Sequence, residues 1–546
     1  MSDFREITIG GLLKETASKY PDNRALVYPE FGISQNYRDF AASCAAVAKG
    51  FMALGVRKGD HVSVWTTNLP QWVHMQFGLG MIGAVLVTVN TNYKSHELEY
   101  ILRQSDSTTL VLMEKYRDTN YFDTVNEVVP GLATEAPGRI SAAKLPTLKN
   151  IVYIGERAST PGMFHFDEVV KMGEAVSDAA LEERMNSCDC RDGINMQYTS
   201  GTTGFPKGVL LSHYNIVNNS RMVGDVMGLT EKDSLLIHVP LFHCFGCVMS
   251  TLNSVYHGST MVVMESFDPG ASLKAIHSER CTAINGVPTM FIAMLAHPDF
   301  DKYDMKSLRT GIMAGAPCPI EVMNQVRTRM HCPEVVIAFG QTECSPVMTM
   351  TRRDDPVELR VSTVGRLLPD IEGRIINPDT GEEVSAGVQG EIVTRSDCVM
   401  KGYYKMPEET DKAVDSDGWL HTGDLGEVDE NGYFKVTGRI KDMIIRGGEN
   451  IYPRELEEFL YTNPKVNDVH VVGIPDKKYG EQVLAAIQLK EGVSATVEEF
   501  IEFCQGRIAR HKVPRYWEFV NAFPMTASGK VQKYKLREMY SEKFAS

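Results

Sequence analysis

The sequence has no apolar run long enough to cross a bilayer. Its longest mostly apolar stretch runs only from Phe77 to Val89. It also has no excess of positive charge: 56 Lys and Arg stand against 70 Asp and Glu, a net −14. That balance argues against a nucleic-acid partner, which needs a basic footprint. There is no dense cysteine framework either. The 11 cysteines are odd in number and scattered over 546 residues, unlike a small disulfide scaffold. The opening MSDFREITIGG carries acidic residues and no apolar core, so no secretory signal is expected and a cytoplasmic location is. No internal repeat and no low-complexity tract interrupts the chain.

What is present is ordinary globular composition, 43% hydrophobic and 23% charged, over a length suited to three or four domains or subdomains. The charge is unevenly spread. Residues 442–546 hold 15 basic and 15 acidic residues, so the whole negative excess lies before them. Within that tail, residues 505–537 hold eight basic residues and one acidic, Glu518.

The first half alternates helix-like and strand-like patterns. Tyr37 to Leu54, Trp72 to Ile82 and Glu97 to Gln104 have helical spacing. His61 to Trp65, Ala84 to Val89 and Thr108 to Met113 read as strands, as do Asn195 to Tyr198, Leu235 to Val239, Met261 to Met264 and Val335 to Phe339. The alternation predicts α/β layers around mostly parallel sheets. After Val364, short alternating runs rich in Gly, Pro and Asp predict a small antiparallel β unit ending near Gly438 to Asp442. A compact α+β domain is expected beyond it. Pro453 stands in a first helical turn, strands run over Val469 to Gly473 and Val483 to Leu489, and a helix spans Val497 to Arg510.

The strongest local signal is Tyr198-Thr-Ser-Gly-Thr-Thr-Gly-Phe-Pro-Lys-Gly208. Here Gly201 and Gly204 would let backbone amides approach phosphate oxygens, while Thr199, Ser200, Thr202, Thr203 and Lys207 supply donors and charge. It is not a Walker A loop, because Gly rather than Ser or Thr follows Lys207. Several other strings follow in order: Pro240-Leu-Phe-His243, Ala314-Gly-Ala-Pro317, Phe339-Gly-Gln-Thr-Glu343, Gly418-Trp-Leu-His-Thr-Gly-Asp424, Gly438-Arg-Ile-Lys-Asp442, Gly447-Gly-Glu-Asn-Ile-Tyr-Pro453 and Thr526-Ala-Ser-Gly-Lys530.

Taken in order, this set resembles the adenylate-forming (ANL) superfamily of acyl-CoA synthetases, luciferases and peptide-synthetase adenylation domains. Within it, GRIKDMIIRGGENIYPREL and IMAGAPCPIEVM are most similar to the medium-chain fatty acyl-CoA synthetase branch. The resemblance implies a large N-terminal domain (1–440) of two α/β sheet subdomains plus a small β-barrel. It also implies a mobile α+β C-terminal domain (441–546) that takes two orientations about a hinge at Lys441. The implied activity is an AMP-forming acyl-CoA ligase: a small-molecule carboxylate, ATP and CoA give acyl-CoA, AMP and pyrophosphate through an acyl-adenylate. A homo-oligomer is left open.

The chemistry can be set against the residues. Bringing an anionic carboxylate to an anionic α-phosphate demands cations and oriented donors. Glu343 suits a Mg²⁺ ligand, with the Thr202 hydroxyl nearby; the alternative is a surface carboxylate after a turn. Asp424 suits a ribose diol, and Arg439 hydroxyls or phosphate; the alternative is a surface salt bridge. Phe339, followed by Gly340 and Thr342, offers a face for adenine or else packs in the core. On the adenine side stand Gly315, Ala316 and Pro317. Lys530 is expected to reach both the substrate carboxylate and the α-phosphate; the alternative is a solvated charge. Gly447 and Gly448 leave room for a pantetheine arm or are turn glycines.

His243 is expected to gate an acyl pocket lined by Gly246, Cys247, Met249 and Gln341. A metal or redox role for His243, Cys244 and Cys247 is the weaker alternative, since no second C-x-x-C exists and the segment is apolar. Phe339 and Gln341 stand where many relatives have Tyr and Met, and Gln341 beside the pocket leaves an alicyclic or aromatic acid as an alternative substrate. Separately, the resemblance to adenylation domains leaves a carrier protein as an alternative acceptor.

Overall fold

The computed structural model describes residues 4–157, 160–199, 206–316, 318–447, 449–526 and 531–544. By packing, the chain forms two compact units: Met1–Glu372 with Arg395–Leu420, and Gly373–Thr394 with His421–Ser546. This division groups the small β sheet with the C-terminal residues, whereas the division expected from motif order falls at Lys441.

The first unit is built on two large sheets. One has eight strands in the order Gly402–Tyr403, Lys207–Ser212, Gly193–Thr199, Val85–Thr88, His61–Trp65, Thr109–Met113, Asn150–Ile154 and Phe164–His165. From Gly193–Thr199 onward the neighbours are parallel, and the first two strands are antiparallel additions. The other has nine strands, with six parallel ones from Glu334–Gly340 to Arg24–Tyr28 and antiparallel strands at both edges. The inner strands are buried along almost their whole length and mostly apolar, because both of their faces are covered as parallel sheets require, with a few buried polar residues such as Ser63, Asn195, Gln197 and Asn285. One core cluster joins a face of each sheet, through Val62, Val64, Leu86, Leu235, Ile237 and Met261, with helices Tyr37–Ala53 and Pro70–Ile82.

The expected helices and strands of this half are found within a few residues of their predicted ends. Pro70 extends the second helix backward to its first turn, where a missing N–H costs nothing. That helix is buried on nearly every side, which explains why its pattern is apolar all round rather than amphipathic.

In the second unit, the β segment expected after Val364 is a four-stranded sheet of Glu372–Ile376, Gly390–Arg395, Leu420–Val428 and Phe434–Arg439. The C-terminal part is a five-stranded sheet centred on Val466–Asp476 and Gly480–Leu489. Both strands are buried on both faces. Val469, Val471, Val483, Ala485 and Ile487 meet helices Pro453–Tyr461 and Val497–Cys504 on one side. Val472, Ile474, Leu484 and Ala486 meet helix Lys533–Phe544 on the other. The helix expected over Val497 to Arg510 stops at Cys504, because Gln505 turns extended and Gly506 adopts a left-handed φ of 69°.

Candidate active site

The Gly- and Thr-rich string begins as a strand and returns as one. Thr199, at the end of Gly193–Thr199, pairs with Lys207, the first residue of the antiparallel strand Lys207–Ser212. Strand Gly402–Tyr403 lies along the outer side of this hairpin, with Val209 opposite Tyr403. Lys207 and Val209 share a strand face, so the Lys207 ammonium lies over the Tyr403 ring at 4.8 Å from its centroid. The same ammonium donates to the carboxylate of Glu409. Lys207 and Lys412 together hold the Glu409 carboxyl well down, to about 2.

Glu343 is not a surface carboxylate. It follows strand Glu334–Gly340 in the turn Thr342–Cys344 and is only 8% exposed. One carboxylate oxygen accepts the Tyr403 hydroxyl at 2.8 Å. Burial, with the facing Glu343 charge, pushes the Tyr403 phenol far up, so it stays a donor. The backbone of the turn is held from helix His213–Met227. Asn219 donates to the Val347 carbonyl at 2.8 Å and accepts from the Val347 amide at 3.2 Å. Asn215, one turn earlier on the same helix face, donates to the carbonyls of Asp397 (2.6 Å) and Val399 (3.2 Å). The next residue, Met400, donates its amide to the Glu343 carbonyl at 2.8 Å.

The expected adenine side lies at the carboxyl ends of two parallel strands, Thr310–Ala314 and Glu334–Gly340, with Ala314 in register with Ala338. Gly315 takes a left-handed φ of 88°, which glycine adopts without steric cost, and both it and Ala316 are exposed. Phe339 is half-buried, Gly340 is exposed, and Gln341 and Thr342 are half-buried.

The acyl motif sits where the order of the nine-stranded sheet reverses. From Ser234–Ile237 the chain goes to Thr260–Val263 on one side and then to Ala283–Gly286 on the other. Such a switch point is where open α/β sheets form a crevice. Pro240 to His243 follow directly. His243 is half-buried, its ring 4.5 Å from that of Phe242, and its carbonyl accepts from the amides of Gly246 and Cys247. At Gly246 a Cβ would lie 2.4 Å from the Pro240 carbonyl oxygen, so the short helix can dock on that backbone only through glycine. Cys247–Leu252 is a π-helix. Its loosened carbonyls are taken by side chains: Gln76 donates to Cys247 (2.6 Å) and Asn285 to Met249 (3.1 Å), while Ser250 donates back to the Phe245 carbonyl (2.8 Å). Cys247, Met249 and Gly246 are buried. Burial pushes the Cys247 thiol up to about 12 and Cys244 well above its ordinary value. Burial thus disfavours the thiolate form of both in the absence of a metal. Among the described residues, no group of three or more His, Cys, Asp or Glu converges on a metal position.

In the second unit, Asp424 and Arg439 face each other on antiparallel strands, and Arg439 Nε donates to Asp424 Oδ1 at 2.7 Å. Asp424 is 4% exposed while the arginine side chain is half out, so the pair is more than a surface salt bridge. The bend before Asp424 is braced by Glu391, which accepts from the Gly423 amide and faces His421, both at 3.0 Å. Lys441 is exposed in the single turn Ile440–Asp442. Gly447 closes the hairpin between Ile444–Arg446 and Glu449–Ile451 with a left-handed φ of 62°, as a turn glycine does. The expected residues Ser200, Gly201, Thr202, Thr203, Gly204, Pro317, Gly448 and Lys530 lie outside the described residues.

The structure therefore brings Thr199, Lys207 and Glu343 into one neighbourhood through Tyr403, and Phe339 and Gly340 beside Gly315 and Ala316. Tyr403, Glu409 and Glu391 were missed by the sequence reading. Only the doubled aromatic after Gly402 gave any sign of Tyr403.

Sequence and structure comparisons point the same way. The AMP-binding enzyme family matches residues 13–404, and the AMP-binding enzyme C-terminal domain matches residues 455–530. A putative acyl-CoA synthetase, YngI of Bacillus subtilis (strain 168), is 53% identical over 544 residues, covering 100% of this chain and 99% of that protein. The mitochondrial medium-chain acyl-CoA ligase ACSF2 of Danio rerio is 41% identical over 97% of this chain and 88% of its own. The anthranilate CoA ligase AuaEII, solved in complex with anthranoyl-AMP, superposes with a TM-score of 0.85 at 26% identity, over 99% of this chain and 98% of that one. No helix among the described residues is long and apolar enough to cross a membrane. The chain belongs to the AMP-binding enzyme family and is an AMP-forming acyl-CoA ligase of the adenylate-forming superfamily.

Proposed function

We propose that this ligase activates a medium-chain fatty acid. The observation that carries the proposal is the 41% identity to ACSF2, a medium-chain acyl-CoA ligase, over almost the whole chain. The buried apolar segment beyond Pro240 suits such a chain: Cys247, Val248, Met249 and Leu252 are all within the core cluster. An aromatic carboxylate is the second reading, favoured by the likeness to the anthranilate ligase and by Gln341 beside the expected pocket.

In the first step the substrate carboxylate attacks the α-phosphate, acyl-AMP forms and pyrophosphate leaves. In the second the CoA thiol displaces AMP to give acyl-CoA. Asp424 and Arg439 are assigned to the ribose, Phe339 with Gly315 and Ala316 to adenine, and Lys207 with the loop 199–204 to the phosphates. Lys530 is assigned to the developing charge between carboxylate and α-phosphate. The hinge is assigned to Lys441, and Gly447 and Gly448 to the pantetheine path.

Mg²⁺ fits the donor set at Glu343. A buried carboxylate keeps one oxygen engaged by Tyr403, and no group of three or more His, Cys, Asp or Glu among the described residues forms a protein cage. Such a site suits an ion shared with substrate phosphates and water. When bound, Mg²⁺ would neutralise phosphate charge; Glu343, with the Thr202 hydroxyl, would hold it.

An acid panel tests the substrate. With ATP and CoA, acids of six to twelve carbons should give kcat/KM at least about tenfold above acetate and benzoate, the discrimination a few buried methylenes supply. A maximum on aromatic acids would replace the proposal with the second reading. Lys530→Ala should abolish acid-dependent pyrophosphate exchange while thioester formation from supplied acyl-AMP persists; retained exchange would remove Lys530 from the adenylation step.

A further inference from the structure

The Lys207 ammonium, expected at the nucleotide phosphates, already has an anionic partner within its own unit. Glu409 lies in the first turn of helix Pro407–Ala413, 202 positions along the chain, and its carboxylate receives the Lys207 ammonium. Register explains the meeting. Strand Gly402–Tyr403 pairs with Lys207–Ser212, the Tyr404 amide donates to the Gly208 carbonyl at 2.8 Å, and Thr410 ties the helix back through its hydroxyl to the Tyr403 amide at 2.9 Å. The helix start is thereby fixed beside Lys207.

Two features make this contact exchangeable. Its side chains are 28% and 36% exposed, a setting in which an ion pair is weak and can be traded for another. Glu409 also has a second cation: Lys412, three residues on, donates to its other oxygen at 2.8 Å. Losing Lys207 would leave Glu409 still paired. Lys207 keeps the Tyr403 ring beneath it.

We propose that Glu409 competes with the nucleotide phosphates for the Lys207 ammonium and so lowers the affinity of this enzyme for ATP. The proposal rests on the assignment of Lys207 to the phosphates. A polyphosphate carries more charge than one carboxylate and displaces it, but each binding event breaks the Lys207–Glu409 pair and leaves an acidic group close to the incoming anion. Glu409 thereby sets the ATP concentration at which the phosphate loop fills. It is a positioning residue, acting through Lys207.

Calorimetric binding of a non-hydrolysable ATP analogue and of adenosine, to wild type, Glu409→Gln, Lys207→Met and the double variant, tests this. Glu409→Gln should tighten the analogue about three- to tenfold, what removal of an exposed ion pair and a like-charge neighbour is worth. Adenosine, lacking phosphates, should bind with unchanged affinity, which a merely structural role would not distinguish. In the Lys207→Met background only the like-charge part, softened by Lys412, remains, so the same substitution should give a smaller gain than in wild type, about twofold or less. Unchanged or weakened analogue binding by Glu409→Gln, with Lys207→Met weakening it, would overturn the competition alone. If Lys207→Met leaves the analogue's affinity intact, the phosphate assignment of Lys207 fails and the competition with it.

Discussion

The Tyr403 hydroxyl donates to the Glu343 carboxylate at 2.8 Å across 60 positions of sequence. One oxygen of the buried acid is thus held in a fixed direction by a phenol that burial keeps protonated. The same ring carries the Lys207 ammonium on its face. A single tyrosine therefore aligns the residue assigned to the metal with the residue assigned to the phosphates.

Removing that hydroxyl should be felt at Glu343. Tyr403→Phe is expected to lower acid-dependent pyrophosphate exchange about 10- to 100-fold, the usual cost of losing a partner that orients a metal ligand. Its Mg²⁺ requirement should shift to higher concentration. Glu343→Gln should cost more, on the order of 100-fold or beyond. Equal Mg²⁺ titration curves for Tyr403→Phe and wild type would exclude the alignment.

Asn219 should matter for stability before it matters for chemistry. It is fully buried and serves both the amide and the carbonyl of Val347. Asn219→Ala strands those groups and should cost about 2–4 kcal/mol in urea unfolding, at one to two kcal/mol for each buried group left unpaired. A change below about 0.5 kcal/mol would mean that the turn is held elsewhere.

Acid sensitivity is expected from His213. It is fully buried, and its Nδ1 accepts the Ile9 amide at 3.1 Å. Burial holds its pKa down at about 3, against about 6.5 in an unfolded chain. Between those values the unfolded state binds the extra proton, so stability falls as pH is lowered from about 6.5 toward 3. The slope from this residue approaches 1.4 kcal/mol per pH unit. His238, held at about 4 by burial, adds a term of the same sign. Urea unfolding at pH 7 and pH 5 should show a smaller loss for His213→Asn than for wild type; an identical loss would place the acid sensitivity in other groups.

Asp424 tests the nucleotide assignment in the second unit. Asp424→Ala should raise the Kd for ATP about 10- to 100-fold by calorimetry, the worth of hydrogen bonds to a charged acceptor. An unchanged Kd would leave the Asp424–Arg439 pair as a structural brace only.

Much of the framework was legible because it is written locally. The buried parallel strands are short, mostly apolar runs, most of them ending at a loop with Gly, Pro or Thr, and Pro453 marks its helix by its own geometry. The overlong helix beyond Cys504 was a misreading of a legible sign, since Gly506 stood where the helix had to end. The site divides differently. Asp424 and Arg439 were found together because each lies in a recognisable string and strand register brings them opposite. Tyr403, Glu409 and Glu391 reach the site through partners distant in sequence, and no periodicity reports a contact made across 202 positions. The π-helix was equally hidden. Its pitch depends on Gln76 and Asn285 arriving from other elements to take carbonyls that an α-helix would have used itself.

The position of Glu343 has a consequence for how the chain folds. The strand that follows its turn is fixed by Asn219 at Val347, 128 positions away, and its carbonyl by a segment that Asn215 anchors from 182 and 184 positions away. Contacts spanning such distances close late, after the entropy of the intervening loops has been overcome. Both contacts come from the one helix His213–Met227. The acid assigned to the first half-reaction is thus placed by long-range contacts within the first unit, and pyrophosphate exchange during refolding should appear only after those contacts have closed.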